Sequence, residues 1–400
     1  MTGQLAREAA ILEERKVLQT ETFYTEGPAE LEEARRRITV TSLARARDRV
    51  ARQRAMTDAD YLAVDERQAR AGRMLRALAQ ESSQVVGERP VSACQFLPGG
   101  EALAVASWSG KLKVVSVPDF KTHLTVAAHE DRVTGLAVLP GAAPPGDAGS
   151  GAAHYVTGSA DGTARVFSGA GALLRTLAGH GDRLGRVAVH PDGGHCATAS
   201  FDRTWRLWDL ETGACLAEQE GHSRAVYAVA FQGDGSLVAS AGMDCAPRVW
   251  DVRSGRCVVN LEGHVGGVLA LDFSPSGYQL ASGALDHSAR VWDLRRRQCL
   301  ATLPGHTSLV STVRFEPTHG DYLLTAGYDG STKLWSGYDF TLLKSLRITE
   351  GKVMAADICP GGGEPLVATG SYDRSVKLWK RGILDVDAGD GSGGGDVAMA

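Results

Sequence analysis

The stretch Ser-Phe-Asp-Arg-Thr-Trp-Arg-Leu-Trp at residues 200–208 decides the fold of this chain. It reads as the end of a short strand, a tight turn that contains an aspartate, and a second strand that ends in tryptophan. The pattern returns four more times, and a weaker copy ends at Phe167. The turn aspartates of the five clear copies lie 42, 42, 43 and 44 residues apart, at Asp202, Asp244, Asp286, Asp329 and Asp373.

A repeat of roughly 40–45 residues with Gly-His and Trp-Asp signatures is typical of the WD40 β-propeller, in which each repeat builds one four-stranded blade. The repeats run from about Val91 to Trp379, which leaves room for seven blades. We therefore predict an all-β, seven-bladed WD40 β-propeller preceded by an Arg-rich α-helical segment. The predicted divisions are a helical N-terminal extension at 1–81, the propeller at 82–381 and a disordered Gly/Asp-rich tail at 382–400.

Ring closure requires one more strand, because strands assigned up to Trp379 leave the last blade without its outer strand. Since an open sheet edge is a hazard, we expect Ser82–Val86 to supply it from the N-terminal side. For blade two, a Pro- and Gly-rich surface loop at 140–151 separates the first two predicted strands. The four strands are predicted at Val133–Leu139, Ala153–Gly158, Thr163–Phe167 and Leu173–Leu177.

Composition narrows the class of protein further. Hydrophobic residues make up 43% of the chain, which is enough for a buried core, and no apolar run reaches the length that spans a bilayer. The seven cysteines are scattered without a Cys-x-x-Cys pair, which argues against a zinc site. The first residues lack a secretory leader, and no phosphate-binding loop is found. We expect an intracellular protein without a cofactor and without membrane contact.

His, Ser or Thr, Asp and Trp recur in register in the repeats. Ser, His and Asp could form a catalytic triad, but a catalytic set is needed once, whereas this set returns in blade after blade. We therefore predict structural hydrogen-bond chains, because buried polar groups must be paired, and no catalytic or metal-binding residue. The predicted set is His180, His222, His264, His306, Asp161, Asp202, Asp244, Asp286, Asp329, Asp373, Trp208, Trp250, Trp292, Trp335 and Trp379.

Two blades depart from this pattern. Blade one has Ser109 in the aspartate position and Val115 in the tryptophan position, and the segment before the last blade, Thr349-Glu350-Gly351, has no histidine. These blades are neighbours across the ring closure. We expect local opening to start there, because their hydrogen-bond chains are incomplete.

The residue directly before each turn aspartate should lie near the narrow top surface of the ring. Most of these residues are large and apolar or aromatic, and basic residues follow close by. Aromatic side chains mixed with arginine are favoured at binding hot spots, although some of them could simply pack between loops. The predicted partner-binding set is Trp108, Phe201, Met243, Leu285, Tyr328 and Tyr372 with Arg132, Arg183, Arg203, Arg224, Lys352 and Arg374.

The N-terminal segment carries a dense arginine cluster. Residues 35–54 hold eight arginines and one acid, Asp48, whereas residues 383–400 hold four aspartates and no basic residue. The arginines could contact RNA phosphates or an acidic partner, or they could form a solvated helix face. The cluster comprises Arg35, Arg36, Arg37, Arg45, Arg47, Arg49, Arg52 and Arg54.

The same segment shows helical signals. Leu31, Ala34 and Ile38 form an apolar stripe at helical spacing. Gly27-Pro28 should break the segment, and Thr57-Asp58 offers a helix stop or a new cap.

Several stretches resemble one family beyond generic WD repeats. They are Phe-Asp-Arg-Thr-Trp-Arg-Leu-Trp-Asp-Leu from 201, Phe-Glu-Pro-Thr-His-Gly-Asp-Tyr-Leu-Leu-Thr from 315, Glu-Gly-Lys-Val-Met from 350 and Ser-Tyr-Asp-Arg-Ser-Val-Lys-Leu-Trp from 371. Tyr-Thr-Glu-Gly from 24 and Ser-Leu-Ala-Arg-Ala from 42 extend the match upstream of the repeats. Over about residues 23–381 the chain resembles the WD-repeat splicing factor of the U4/U6 small nuclear ribonucleoprotein, the pre-mRNA-processing factor four family.

The resemblance implies a nuclear, non-enzymatic scaffold of the spliceosomal tri-snRNP, a monomer within a larger complex. Such a protein docks on a partner splicing factor bound to the U4/U6 small nuclear RNA duplex, and a cyclophilin joins the same subcomplex. The family normally carries a longer N-terminal region, and this chain has few residues before Phe23, so the cyclophilin contact stays open. The alternatives are a generic WD-repeat adaptor, such as a ubiquitin-ligase substrate receptor or signalling scaffold, and a propeller hydrolase.

Overall fold

The computed structural model describes residues 29–142, 153–348, 351–361 and 363–382. These residues form two helices, α1 (Ala29–Arg54) and α2 (Asp58–Arg76), followed by strands in seven four-stranded antiparallel sheets. Some sequence predictions lie outside the described residues: the upstream motif at 24–27, the helix break at 27–28, most of the blade-two loop, the segment at 349–350 and the tail from 383.

Each blade contributes four strands, and the first strand of a blade lies innermost. Blade one contains β2 (Val91–Phe96), β3 (Ala102–Ser107), β4 (Lys111–Ser116) and β5 (Thr122–Ala127). Blade two contains β6 (Val133–Val138), β7 (Ala153–Ser159), β8 (Ala164–Ser168) and β9 (Leu173–Leu177). Blade three contains β10 (Leu184–Val189), β11 (His195–Ser200), β12 (Trp205–Asp209) and β13 (Cys215–Gln219).

The remaining blades repeat this order. Blade four contains β14 (Val226–Phe231), β15 (Leu237–Gly242), β16 (Arg248–Asp251) and β17 (Arg256–Asn260). Blade five contains β18 (Val268–Phe273), β19 (Gln279–Ala284), β20 (Ala289–Asp293) and β21 (Gln298–Leu303). Blade six contains β22 (Val310–Phe315), β23 (Tyr322–Gly327), β24 (Ser331–Ser336) and β25 (Leu342–Arg347). Blade seven contains β26 (Val353–Ile358), β27 (Val367–Ser371), β28 (Ser375–Arg381) and, as its outer strand, β1 (Leu78–Val85).

The ring is closed by the N-terminal strand β1. It pairs antiparallel with β28 from Leu78 opposite Arg381 to Val85 opposite Ser375, and the innermost strands of blades one and seven contact each other. The predicted seven-bladed propeller is confirmed. The closing strand begins at Leu78 rather than at Ser82, because the buried side chain of Leu78 joins the apolar cluster around Trp379.

The two helices follow from local signals. Thr57 caps α2: its hydroxyl accepts from the amide of Asp60, and the Asp60 carboxylate accepts from the amide of Thr57. The predicted new cap is therefore confirmed. In α1, the apolar stripe of Leu31, Ala34 and Ile38 is buried, with 2%, 2% and 0% exposure, in one cluster with residues of blades three and four. The predicted stripe thus fixes α1 against the propeller.

The loops of the ring divide between two faces, because neighbouring strands run in opposite directions. One face carries the loops between the second and third strands of each blade and the loops that join one blade to the next. We call it the Asp-turn face. The helix face carries the loops between first and second and between third and fourth strands. The Arg49 guanidinium binds Asp234, between β14 and β15, and that of Arg67 binds Asp321, before β23. The helices therefore dock on the helix face, opposite the turn aspartates.

Candidate partner-binding surface

A repeated backbone hydrogen bond places each residue that precedes a turn aspartate. The amide of Phe201 donates to the carbonyl of Arg183 at 3.0 Å, and that of Tyr372 donates to the carbonyl of Lys352 at 2.9 Å. Trp108 makes the corresponding bond in blade one, to the carbonyl of Pro90. Each such side chain therefore stands next to the loop that enters the innermost strand, around the mouth of the channel.

Basic side chains lie over these aromatic rings. The Arg183 guanidinium carbon is 4.0 Å from the centre of the Phe201 ring, and that of Arg132 is 5.8 Å from Trp108. The Lys352 ammonium lies 5.1 Å from Tyr328 and also approaches the ring of Tyr372. Attraction between a cation and an aromatic face stabilises such pairs by about 0.5–1 kcal/mol at exposed sites. The basic groups are thus held at the surface in defined positions.

A cavity of about 180 Å³ opens at the channel mouth on the Asp-turn face. Five residues of the predicted partner-binding set line this mouth cavity: Trp108, Arg132, Arg183, Phe201 and Tyr328. The structure therefore brings together part of the predicted set, from blades one, two, three and six.

Other members of the set lie apart from the mouth cavity. Met243 and Leu285 lie beside Gly267, in the loop that enters blade five. Arg203, Arg224 and Arg374 are exposed on the Asp-turn face, and Tyr372, 48% exposed, packs its ring edge-on against Trp108 at 5.8 Å. These residues share the Asp-turn face with the mouth cavity but do not line it.

Sequence reasoning missed the other residues that line the mouth cavity, among them Arg186 and Tyr227. Arg186 lies on the innermost strand β10 and reaches across the channel. Its guanidinium donates to the carbonyl of Ser92 at 3.5 Å and to that of Ser311 at 3.4 Å. An arginine inside the first strand of a blade was the available signal, because innermost strands line the channel.

A second charged group lies further along the channel, toward the helix face. Arg314 Nη1 is 3.6 Å from a carboxylate oxygen of Asp272, and its Nε is 3.5 Å from one of Asp357. The amides of Phe315 and Phe96 donate to the same two carboxylates. Burial raises the pKa of Asp272 to about 6, although the Arg314 charge opposes the shift. This group is paired internally and braces the innermost strands.

Blades three to six contain a chain of buried hydrogen bonds. In blade three, Trp208 Nε1 donates to Thr198 Oγ1 at 2.8 Å, Thr198 Oγ1 lies 2.7 Å from His180 Nε2, and His180 Nδ1 lies 2.7 Å from Asp202. The corresponding contacts join Trp250, Ser240, His222 and Asp244; Trp292, Ser282, His264 and Asp286; and Trp335, Thr325, His306 and Asp329. The repetition of one geometry in four blades favours a structural role over a catalytic one.

The charge state of these chains follows from burial. Burial lowers the pKa of His264 and of His306, despite their aspartate partners, so these imidazoles are neutral at pH 7. Burial alone would raise the pKa of Asp286, but hydrogen bonds from His264 and Ser288 outweigh it and lower the pKa to about 2. In blades five and six the chain therefore pairs a neutral imidazole, donating through Nδ1, with an ionised carboxylate.

The other blades hold partial chains. In blade two, His129 contacts Thr157 and Asp161 at 2.9 and 3.1 Å, but Phe167 replaces the tryptophan. In blade seven, Trp379 donates to Thr369 at 3.0 Å, and the Asp373 carboxylate accepts from the serines beside it. In blade one, the hydroxyls of Ser107 and Ser109 contact each other.

The structure divides the arginine cluster of α1. Arg49 donates through Nε and Nη2 to the two oxygens of the Asp234 carboxylate at 2.6–3.1 Å and also donates to the carbonyl of Ser276. Arg45 donates to the carbonyl of Pro191. The predicted RNA or acidic-partner role is therefore corrected for these two, because their guanidinium groups hold α1 on the propeller. Arg35 is half-buried, and burial lowers its pKa against the opposing charge of Asp251. Arg36 pairs with Glu32 at 2.7 Å, and the remaining cluster arginines, Arg37, Arg47, Arg52 and Arg54, are exposed.

One group of side chains has the composition of a metal site. His190 Nδ1 and His195 Nδ1 each lie 2.8 Å from the Asp192 carboxylate, and His190 Nε2 donates to the carbonyl of Gly235. Burial would raise the pKa of Asp192, but its close contacts with the two imidazoles hold it well below its usual range. These contacts stabilise the β10–β11 loop, and this structural role accounts for the cluster.

Comparison with known proteins connects this chain to a family. The model of the WD domain, G-beta repeat, matches residues 171–209, 213–251, 255–293, 297–336 and 340–380. A U4/U6 small nuclear ribonucleoprotein PRP4-like protein of Arabidopsis thaliana is 50% identical over 358 residues, which is 89% of this chain and 62% of that relative. This chain belongs to the Prp4 family of WD-repeat proteins.

Other Prp4 proteins match shorter parts. The Saccharomyces cerevisiae U4/U6 small nuclear ribonucleoprotein PRP4 is 33% identical over 204 residues, or 48% of this chain and 41% of its own length. The human U4/U6 small nuclear ribonucleoprotein Prp4 is 40% identical over 120 residues, or 30% of this chain and 23% of its own length. The chain thus spans less than two thirds of the length of these Prp4 relatives.

The helices of this Prp4-family chain do not have the character of membrane spans. Among the described residues, α1 and α2 are too polar along their length for either to cross a bilayer.

Proposed function

We propose that this protein is a non-catalytic scaffold of the U4/U6 and U4/U6.U5 small nuclear ribonucleoproteins in pre-mRNA splicing, and that it acts in the nucleus. The similarity to the Arabidopsis relative carries the proposal. It extends over 358 residues, more than the propeller and its closing strand hold between residues 78 and 382. The shared sequence therefore includes residues outside the repeats, which generic WD-repeat adaptors have no reason to share.

The two faces of the ring suggest a division of roles. Helices α1 and α2 dock on the helix face, whereas the Asp-turn face presents aromatic side chains beside arginines. We infer that the Asp-turn face docks a partner splicing factor and that the exposed arginines of α1 contact U4/U6 RNA or an acidic partner. A cyclophilin contact and a monomeric state within the larger particle belong to the same proposal.

A tagged copy of the chain isolated from nuclear extract tests the proposal. Sequencing of the bound RNA and identification of the bound proteins should recover U4 and U6 RNAs together with splicing proteins. A set of proteins without small nuclear RNA would contradict the scaffold role and favour a generic WD-repeat adaptor.

The exposed arginines allow a sharper version of this experiment. Serine at four of the exposed arginines of α1 should weaken association with the particle and reduce its salt dependence, because each phosphate contact contributes about 0.7–0.9 to the slope against log salt. A matched control removes four exposed arginines from the rim of blades four to six. If both variants associate alike at every salt concentration, α1 does not contact RNA. The test positions are Arg37, Arg47, Arg52 and Arg54, and the control positions are Arg256, Arg296, Arg297 and Arg347.

A further inference from the structure

We propose that the mouth cavity on the Asp-turn face binds an acidic side chain of a partner polypeptide, with an apolar neighbour of that side chain packed against the aromatic wall. This inference rests on the proposed function, in which the Asp-turn face holds a protein, and it names the chemistry that the face recognises.

The charge of the mouth cavity is the first argument. Arg132, Arg183 and Arg186 line it, and no aspartate or glutamate does so among the described residues. None of the three guanidinium groups lies within 4.0 Å of a carboxylate in the ranges that the structure covers. Arg314, which stands between two aspartates in the same channel, shows how a channel arginine is paired when acidic side chains face it. A carboxylate from outside would complete the mouth cavity.

The placement of the three arginines is the second argument. Arg186 forms the floor, and its bonds to two carbonyl oxygens are long, at 3.4 and 3.5 Å. Arg132 and Arg183 are exposed at the rim, each beside an aromatic ring. Charge-assisted hydrogen bonds to a carboxylate are shorter and stronger than bonds to a neutral carbonyl. A carboxylate that enters the channel would therefore find donors at the rim and at the floor.

The volume of the mouth cavity limits the size of the group that it can bind. Its volume is about 180 Å³, below the roughly 300–1,000 Å³ typical of sites for whole small molecules. The aromatic wall is fixed by edge contacts, at 5.9 Å between Phe201 and Tyr227 and at 5.8 Å between Trp108 and Tyr372. A rigid aromatic wall beside arginine is the composition of binding hot spots. The cavity thus suits one or two side chains presented by a larger partner.

The surroundings of the mouth cavity favour a polypeptide over RNA. Exposed acidic residues stand directly beside the rim arginines: Glu130 and Asp131 precede Arg132, and Asp182 precedes Arg183. A nucleic-acid backbone needs a continuous basic track, and these acids would repel its phosphates. A local anion pocket within a mixed surface fits an acidic peptide.

Two fluorescein-labelled peptides test the inference on the purified full chain: acetyl-Gly-Glu-Glu-Phe-Glu-Glu-Gly and the same peptide with glutamine in place of each glutamate. Fluorescence anisotropy should show the glutamate peptide binding at least about 10-fold more tightly, the difference expected from loss of one charge-assisted contact. The double variant Arg132→Gln/Arg183→Gln should reduce this binding by about 10-fold or more. The matched variant Arg256→Gln/Arg347→Gln, exposed on the outer strands of blades four and six, should bind within about 2-fold of wild type.

Three outcomes would overturn the inference: no binding of the glutamate peptide at 1 mM, equal binding of both peptides, or equal losses in the two arginine variants. Displacement of the peptide by a decauridine oligonucleotide, with matching losses in the cavity variant, would assign the mouth cavity to RNA instead. Recovery of U4 and U6 RNAs from nuclear extract is measured separately. The scaffold role can therefore stand while the peptide inference fails.

Discussion

Blades three to six and the two blades at the ring closure are stabilised by different contacts. In the first group, a buried chain runs from tryptophan through serine or threonine and histidine to the turn aspartate, as from Trp208 to Asp202. Blade one has Val115 and Ser109 in the end positions of this chain, and blade seven joins Trp379 to Thr369 without a histidine contact among the described residues. The closure therefore depends on something other than these polar chains.

The closing blade is held by strand pairing and apolar packing. Strand β1 pairs with β28 over most of its length, and Leu78 and Leu75 are buried with Trp379 and residues of blade six. Lys344 of β25 also donates to the carbonyls of Arg76 and Leu78. The difference teaches that polar chains rigidify individual blades, whereas the ring itself is closed by contacts distant in sequence.

Leu78→Ala should produce the largest effect. The side chain is 2% exposed within the closing cluster, and a buried leucine truncated to alanine costs about 2–5 kcal/mol. The control is Val85→Ala at the other end of the same strand, 62% exposed, which should change stability by less than about 0.5 kcal/mol. Urea denaturation of both variants measures the free energy of unfolding. Equal stabilities would mean that β1 is not needed for closure.

Asp202→Ala and Asp373→Ala compare the two groups of blades directly. The Asp202 carboxylate accepts hydrogen bonds from the His180 ring, the amide of Gly181 and both donors of Thr204. Its removal leaves buried donors unpaired and should cost about 1–3 kcal/mol. Asp373 is exposed and accepts from neighbouring serines, so its loss should cost less than about 1 kcal/mol.

Urea denaturation again separates the two aspartate variants. An unchanged free energy of unfolding for Asp202→Ala would show that the hydrogen-bond chain does not stabilise its blade. Equal losses at both positions would show that the turn bonds alone matter, and that the histidine adds nothing.

Much of this fold could be predicted because its signals are local. The repeat period fixed the number of blades, and the stripe of Leu31, Ala34 and Ile38 marked the buried side of α1. The start of β1 was placed four residues late, because Leu78 stands in a run that also reads as helix and only its contact with the last blade decides between the two. Local sequence cannot supply that contact.

The candidate site could be predicted only in part, for the same reason. Trp108, Phe201 and Tyr328 were found because each occupies a fixed position before a turn. Arg186 was missed because its role depends on the direction of one side chain across the closed channel. Arg49 was misjudged because its partner, Asp234, lies 185 residues away and leaves no trace in the local pattern.

The smallest predicted effect is a loss of folding stability at acid pH. It should arise in blades that contain a buried histidine and not in blade seven. Burial lowers the pKa of His129, His264 and His306 in the folded chain. In the unfolded chain histidine titrates near its usual value of about 6.5. As pH falls through that value, the unfolded chain gains protons on these histidines that the folded chain does not, so the histidines' contribution to stability is full above about pH 6.5 and declines below it.

His264→Asn should flatten this decline, by less than about 1.4 kcal/mol per pH unit, because one of the titrating groups is gone. The control Ser282→Ala removes the hydroxyl that contacts His264 Nε2 but keeps the imidazole, so it should lower stability and leave the decline in place. Urea denaturation at pH 7, 6 and 5 gives the slopes. If His264→Asn retains the slope of wild type, the buried imidazole does not avoid protonation in the folded ring. Blades with complete chains would then respond to acid as blade seven does, and their histidines would contribute to the blade through packing alone.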